Sequence, residues 1–254
     1  MTNILLAGFN GSMGKQVINL IDDHDELNLV AVYNPHIQEN QKFDFLPENT
    51  RAFNNINEID VNEIDLWIDF SSPDAVYENT KFALENGINP IIGTSGLSDD
   101  DYKKLNELSK GSQIGGIIAP NFSISANLIL NFAKEAAKYY SDAEVIEMHH
   151  ADKKDAPSAT ALNTAKVISA ERQNKSENND MEDSRGADVN GVKVHAVRLP
   201  GYVAHEQVLF GGKGEALTLR QDSFDRSSFM DGVLLAINKV AELKELIFGL
   251  NNLI

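Results

Sequence analysis

Through the first half of the chain, short apolar runs closed by turn residues alternate with stretches of helical spacing. Asn3 to Phe9 reads as a buried strand. Met13 to Ile21 follows with Val17, Ile18 and Ile21 on one helical face. Leu27 to Tyr33 is a second strand, and Asn34 to Asn62 is polar and irregular, read as loop with one short element. Leu66 to Phe70 is a third strand, and Ser72-Pro73 opens a helix with Pro just inside its start. Pro90 to Thr94 is a fourth strand, Ser98 to Leu108 a helix, and Ile114 to Ala119 a fifth strand. Strands separated by helices imply βαβ units and a parallel sheet covered on both faces. The expected fold is α/β, with a Rossmann-type, doubly wound dinucleotide-binding domain over residues 1–123.

The second half has a different rhythm. Ser125 to Tyr140 and Ser158 to Ala170 read as helices flanking a strand at Glu144 to His150. Residues 173–190 are polar and read as a mobile stretch. Val192 to Leu199, Tyr202 to Phe210 and Ala216 to Asp222 read as antiparallel strands with Gly-rich turns. Gly232 to Leu246 reads as an amphipathic helix that ends by Gly249. A C-terminal α+β domain with a mixed or antiparallel sheet is expected over 124–226, with 227–254 packing back on the first domain.

Composition narrows the functional classes. The 254 residues are 42% hydrophobic and 24% charged, an ordinary globular balance. There is no Cys, which removes disulfides, thiolate zinc sites and any thiol nucleophile. A net charge of −16 opposes phosphate-tracking nucleic-acid binding and anionic membrane surfaces. No run approaches the ~18 apolar residues of a membrane span, and Ile4 to Ala7 is too short for a signal-peptide core. A cytoplasmic placement is expected.

Two segments carry candidate chemistry. The first is Gly8-Phe9-Asn10-Gly11-Ser12-Met13-Gly14, lying between the first strand and first helix. Glycines there permit a tight turn and close backbone approach to a pyrophosphate, and the helix N-terminus offers free N–H groups. A plain Gly-rich turn is the alternative. Asn34 lies 20 residues after Gly14, where an acid usually holds the ribose hydroxyls. Being uncharged, Asn34 leaves NADH and NADPH both open. Gly93-Thr94-Ser95 and Ala119-Pro120-Asn121-Phe122 close the fourth and fifth strands, at the ends where such sheets bind ligands.

The second segment runs from Glu147 to Ala161 and holds His149, His150, Lys153 and then Asp-Ala-Pro-Ser opening a helix. Imidazole exchanges protons near neutral pH. Lys153 offers positive charge or a proton. The helix start at Ser158, Ala159 and Thr160 offers N–H and hydroxyl groups suited to a carboxylate. The paired His have no metal-site spacing, and no metal is expected. His195, Arg198, His205 and Arg226 are weaker candidates.

The chain resembles the 4-hydroxy-tetrahydrodipicolinate (dihydrodipicolinate) reductase family nearly end to end. Residues 147–161 look like the family's E-x-H-H-x-x-K-x-D-A-P-S-G-T-A, with Ala159 at the family's Gly. The turn Gly8 to Gly14, Ile68 to Ser71, Gly93 to Gly96 and Ala119 to Ser123 match its cofactor-side motifs, and stretches between Val197 and Gly232 match its C-terminal domain. The resemblance implies reduction of a cyclic imine dicarboxylate with NADH or NADPH and loss of water, in lysine and diaminopimelate biosynthesis. It implies His149 as general acid/base and Lys153 as proton donor. His150, Ala159 and Thr160, with Ser158 beside them, would hold the substrate carboxylates. Gly8 to Met13, Asn34, Gly93 to Ser95 and Ala119 to Phe122 would line the cofactor. A homotetramer built by the C-terminal domains is implied as well. The rivals are another two-domain dehydrogenase, or a non-catalytic NAD(P)H-sensing protein.

Overall fold

The structure is a computed structural model and describes residues 1–39, 41–172 and 183–254. Its elements run β1 (Thr2–Ala7), α1 (Ser12–Asp22), β2 (Leu27–Tyr33), β3 (Arg51–Phe53), β4 (Leu66–Asp69), α2 (Val76–Glu85), β5 (Asn89–Ile92), α3 (Asp99–Ser112) and β6 (Gly116–Ile118). They continue with α4 (Ile124–Ala136), β7 (Asp142–His149), α5 (Ala159–Glu171), β8 (Ala187–Val189), β9 (Val192–Arg198), β10 (Ala204–Gly212), β11 (Glu215–Ser223), α6 (Met230–Val240) and β12 (Leu246–Phe248). Two compact units form: Met1–Phe122 with Phe229–Leu253, and Ser123–Ser228 with Ile254.

Unit 1 is a seven-stranded parallel sheet in the order β12-β6-β5-β4-β1-β2-β3. The continuous apolar run Ile4 to Ala7 makes β1 a central strand, fully buried on both faces. The chain winds one way from β1 through β2 to β3, then returns to lay β4 on the other side of β1. That reversal defines a switch point at the carboxyl ends of β1 and β4, where open α/β sheets bind ligands. Trp67 is fully buried beneath it, its ring packed between Tyr33 and Phe82.

Sequence expectations are refined or corrected here. The stretch 34–62, read as loop with one short element, contains β3, which pairs with β2 in parallel. Helix α2 begins at Val76, after a turn in which Ser72 O accepts the N–H groups of Ala75 and Val76. The last helix stops at Val240, so Leu246–Phe248 is a strand beside β6 rather than helix. Gly249, at φ +89°, follows that strand.

Unit 2 is a five-stranded mixed sheet in the order β11-β10-β7-β9-β8. Helices α4 and α5 cover one face, where Ala143, Val145, Val192, Val194, Val208 and Phe210 form the core. The expected antiparallel run of three strands is corrected. β10 and β11 form a hairpin, but β9 pairs in parallel with β7 and antiparallel with β8. The reason is the crossing helix: β7-α5-β9 is a βαβ unit, and a helical crossover sets its two strands parallel. Of the stretch read as mobile, 173–182 lie outside the described residues, while 187–189 form β8.

Candidate active site

In unit 1 every predicted cofactor residue lies at the carboxyl end of a strand. The turn Gly8 to Gly14 links β1 to α1, Asn34 follows β2, Gly93 to Ser95 follow β5, and Ala119 to Phe122 follow β6. Gly8 has φ +77°, and a Cβ there would sit 2.2 Å from the Phe70 carbonyl oxygen. At Gly14 a Cβ would meet the Gly8 carbonyl oxygen at 2.4 Å, so the first turn of α1 closes on the loop only without a side chain. This backbone cradle fits a dinucleotide pyrophosphate, with Asn10, Gly11 and Ser12 exposed at the helix N-terminus. Asn34 Nδ2 donates to Asn10 Oδ1 at 3.1 Å, which brings the ribose-position residue to the turn. Asn34 Oδ1 is taken by the His36 N–H. Phe9 is fully buried against Phe43 and Phe45, so its side chain anchors the turn.

A buried carboxylate organises the neighbouring loops. Asp69, fully buried at the end of β4, accepts from Trp67 Nε1, the Ser71 N–H and hydroxyl, Asn79 Nδ2 and Thr94 Oγ1. Thr94 therefore spends its hydroxyl on Asp69 at 2.6 Å. Ser95 is exposed, and Phe122 is buried with its ring 5.7 Å from that of Phe70.

In unit 2 the hub is Glu147, fully buried on β7. Arg198 of β9 grips it bidentately at 2.7 and 2.8 Å, and the Ser158 N–H donates at 3.0 Å. His149, two residues along the same strand face, meets Glu147 Oε2 through Nδ1 at 2.5 Å. Burial pushes the Glu147 carboxyl up, but the hydrogen bonds from His149, Arg198 and Ser158 outweigh it and hold it at about 2. An ionised acceptor favours the tautomer with the proton on His149 Nδ1, leaving Nε2 as the ring nitrogen not committed to Glu147. Across the sheet stands Glu206, in register opposite Glu147 and almost fully buried. Burial pushes its carboxyl up to about 7; the Thr164 hydroxyl, donating at 2.8 Å, opposes that rise, and the Glu147 charge adds to it.

The remaining predicted residues divide. Lys153 is mostly buried and donates from Nζ to Asp155 Oδ1 at 2.7 Å. Ser158 caps α5, its hydroxyl accepting the Ala161 N–H at 3.2 Å, so both its polar groups are used internally. Ala159 and Thr160 form the first turn of that helix. His150 is half-exposed, with Nδ1 4.0 Å from Asp152, and is not drawn to Glu147 as His149 is. Sequence reasoning passed over Glu147 as a working group and underrated Arg198. The available signal was alternation: Ala143, Val145 and Glu147 all occupy the buried phase of β7, and a carboxylate there demands partners.

A dinucleotide cradle on a doubly wound sheet, joined in one chain to an anchored imidazole and a lysine, defines a pyridine-nucleotide-dependent oxidoreductase. Two family models cover nearly the whole chain: dihydrodipicolinate reductase, N-terminus, over residues 2–122, and dihydrodipicolinate reductase, C-terminus, over 125–254. The 4-hydroxy-tetrahydrodipicolinate reductase of Lactobacillus acidophilus is 55% identical, over 99% of this chain and 98% of its own. That of Lactobacillus helveticus is 52% identical over the same shares. The dipicolinate-bound dihydrodipicolinate reductase of Paenisporosarcina sp. TG-14 superposes with a TM-score of 0.89 at 38% identity, covering all of both chains. The chain belongs to the dihydrodipicolinate reductase family.

Proposed function

We propose that this chain reduces 4-hydroxy-tetrahydrodipicolinate to tetrahydrodipicolinate, with His149 as general acid/base and Lys153 as proton donor and carboxylate partner. The observation that carries the residue assignment is the Glu147–His149 pair, which Arg198 of β9 fixes and which lies on the same segment as Lys153 and the start of α5. The overall change removes water and adds one hydride and one proton to a ring bearing two carboxylates. Held by Gly8 to Met13 and the strand-end loops of unit 1, a reduced nicotinamide would supply the hydride that the change requires. Lys153 neutralises one carboxylate, assisted by the helix N-terminus at Ala159 and Thr160. His149 exchanges a proton through Nε2 while Glu147 steadies the imidazolium. General acid–base help of this kind is typically worth ~10²–10⁴-fold. His150, half-exposed beside the segment, serves as a further carboxylate contact.

Gly8 to Met13, Asn34, Gly93 to Ser95 and Ala119 to Phe122 would hold the nucleotide. Asn34 brings no charge against a 2′-phosphate, which supports use of both NADH and NADPH. A cytoplasmic homotetramer built through unit 2 completes the proposal. Supporting it, the sheet face opposite α4 and α5 carries the half-buried Ile146, Met148, Val197 and Leu209. The test couples enzymatic generation of the hydroxy substrate to absorbance loss at 340 nm, with NADH and NADPH compared. Oxidation of both supports the reading; binding of nucleotide without oxidation overturns it.

A further inference from the structure

We infer that Asp155 is an internal competitor for the substrate: its carboxylate holds the Lys153 ammonium until the dicarboxylate displaces it. The inference rests on the carboxylate-binding role proposed above for Lys153 and Ala159. The geometry at this residue carries the inference. Its Oδ1 accepts from Lys153 Nζ at 2.7 Å. Ala159, four residues on, is the first residue of α5. Lys153 Nζ is also the donor proposed for a substrate carboxylate, so the side chain and the ligand compete for it.

The geometry makes displacement feasible. The Asp155 carbonyl oxygen is pinned by Arg198 Nη2 at 2.7 Å, so the backbone stays in place while the short side chain turns about two bonds. The Asp155 side chain is 52% exposed and that of Lys153 only 23%, so a released Asp155 carboxylate passes into water while the ammonium stays to meet the incoming one. The exchange is of like for like. One carboxylate leaves the donors and another takes them, and the site is never left with a bare positive charge. A lone monoanion gains little by such an exchange, whereas a ligand with a second carboxylate held elsewhere gains the contacts of both. Asp155 thereby raises the selectivity of the site for dicarboxylates. Hydrogen bonding from Lys153 holds the Asp155 carboxyl below the usual carboxylate range, so at neutral pH it competes as the anion.

The experiment measures binding of dipicolinate, a stable dicarboxylate probe, by calorimetry in low salt. Wild type, Asp155→Asn, Asp155→Ser, Lys153→Met and the Lys153→Met/Asp155→Asn pair are compared, each with its melting temperature. Both Asp155 variants are expected to bind about two- to five-fold more tightly, the range of an exposed ion pair converted to an equilibrium. Acetate and chloride should compete more strongly in them than in wild type. The gain should vanish in the Lys153→Met background, because the contested donor is gone. Unchanged or weaker binding in both folded Asp155 variants overturns the inference, and makes Asp155 a support for Lys153 instead. Lys153→Met separately tests the underlying reading: if it binds dipicolinate as wild type does, that reading fails whatever Asp155 does.

Discussion

Glu206→Gln isolates one buried proton in unit 2. Gln keeps the shape, retains an oxygen for the Thr164 hydroxyl, and removes the ability to ionise. In the wild type Glu206 is 3% exposed and faces the ionised Glu147 across the sheet. Arg198 is already committed to Glu147, and Arg220 of β11 is paired with Asp222, so neither guanidinium balances a second charge. The carboxyl is raised from 4.5 to about 7. A raised folded-state value means that the contribution of neutral Glu206 is fully present below pH 4.5 and is lost as pH climbs through about 7. Linkage over that interval makes the ionised form cost the folded state about 3 kcal/mol at pH 8, against under about 1 kcal/mol at pH 5. The variant escapes that loss. Its stability relative to wild type should therefore grow by about 2 kcal/mol between pH 5 and pH 8, and other titrations cancel in the difference. Hydrogen exchange of the β7 and β10 amides reads the opening of unit 2 directly. Parallel stability curves for the two proteins from pH 5 to pH 8.5 would refute the reasoning.

Glu147→Gln should act at the other end of the pH scale. It leaves the Arg198 guanidinium without its carboxylate and should destabilise unit 2 by about 3 kcal/mol or more, seen as a lower melting temperature at pH 7. Because the Glu147 carboxyl is lowered to about 2, its stabilisation is present above pH 4.5 and fades as pH falls toward 2. The gap between variant and wild type should therefore close in acid. Gly8→Ala forces a Cβ against the Phe70 carbonyl at a positive φ, and should weaken NADH and NADPH binding at least tenfold in fluorescence titrations. Asn34→Asp places a charge where the ribose is proposed to lie, and should move the NADH:NADPH ratio of kcat/KM toward NADH by about tenfold. An unmoved ratio would take Asn34 out of the ribose site.

What was legible in the sequence follows the range of the interaction. Leu27–Tyr33 is read to the residue, because Leu27, Leu29 and the run Ala31 to Tyr33 supply its buried positions. The Gly8 to Gly14 turn is legible because its backbone conformation dictates residue type. β3 is legible only as an unspecified short element, since it is three residues long, partly exposed and paired only along β2. β12 is hidden because its apolar residues continue the periodicity of α6 across the break after Val240. In unit 2 the placement of β7 between β9 and β10 depends on strand pairing between distant residues, which no local run reports. The chemical segment from Glu147 to Ala161 stands out by composition, but the partners that fix it do not. Arg198 lies 51 residues from Glu147 and reaches it only through the parallel register of β7 and β9.

Turnover of His149→Gln bears most directly on the proposed chemistry. Substrate is generated enzymatically in place, the reduced nucleotide is saturating, and absorbance at 340 nm is followed from pH 6 to pH 9. Nucleotide affinity should stay within about twofold of wild type while kcat drops by roughly 10²-fold or more. Wild-type turnover across that whole pH range would contradict the assignment of the proton to this imidazole.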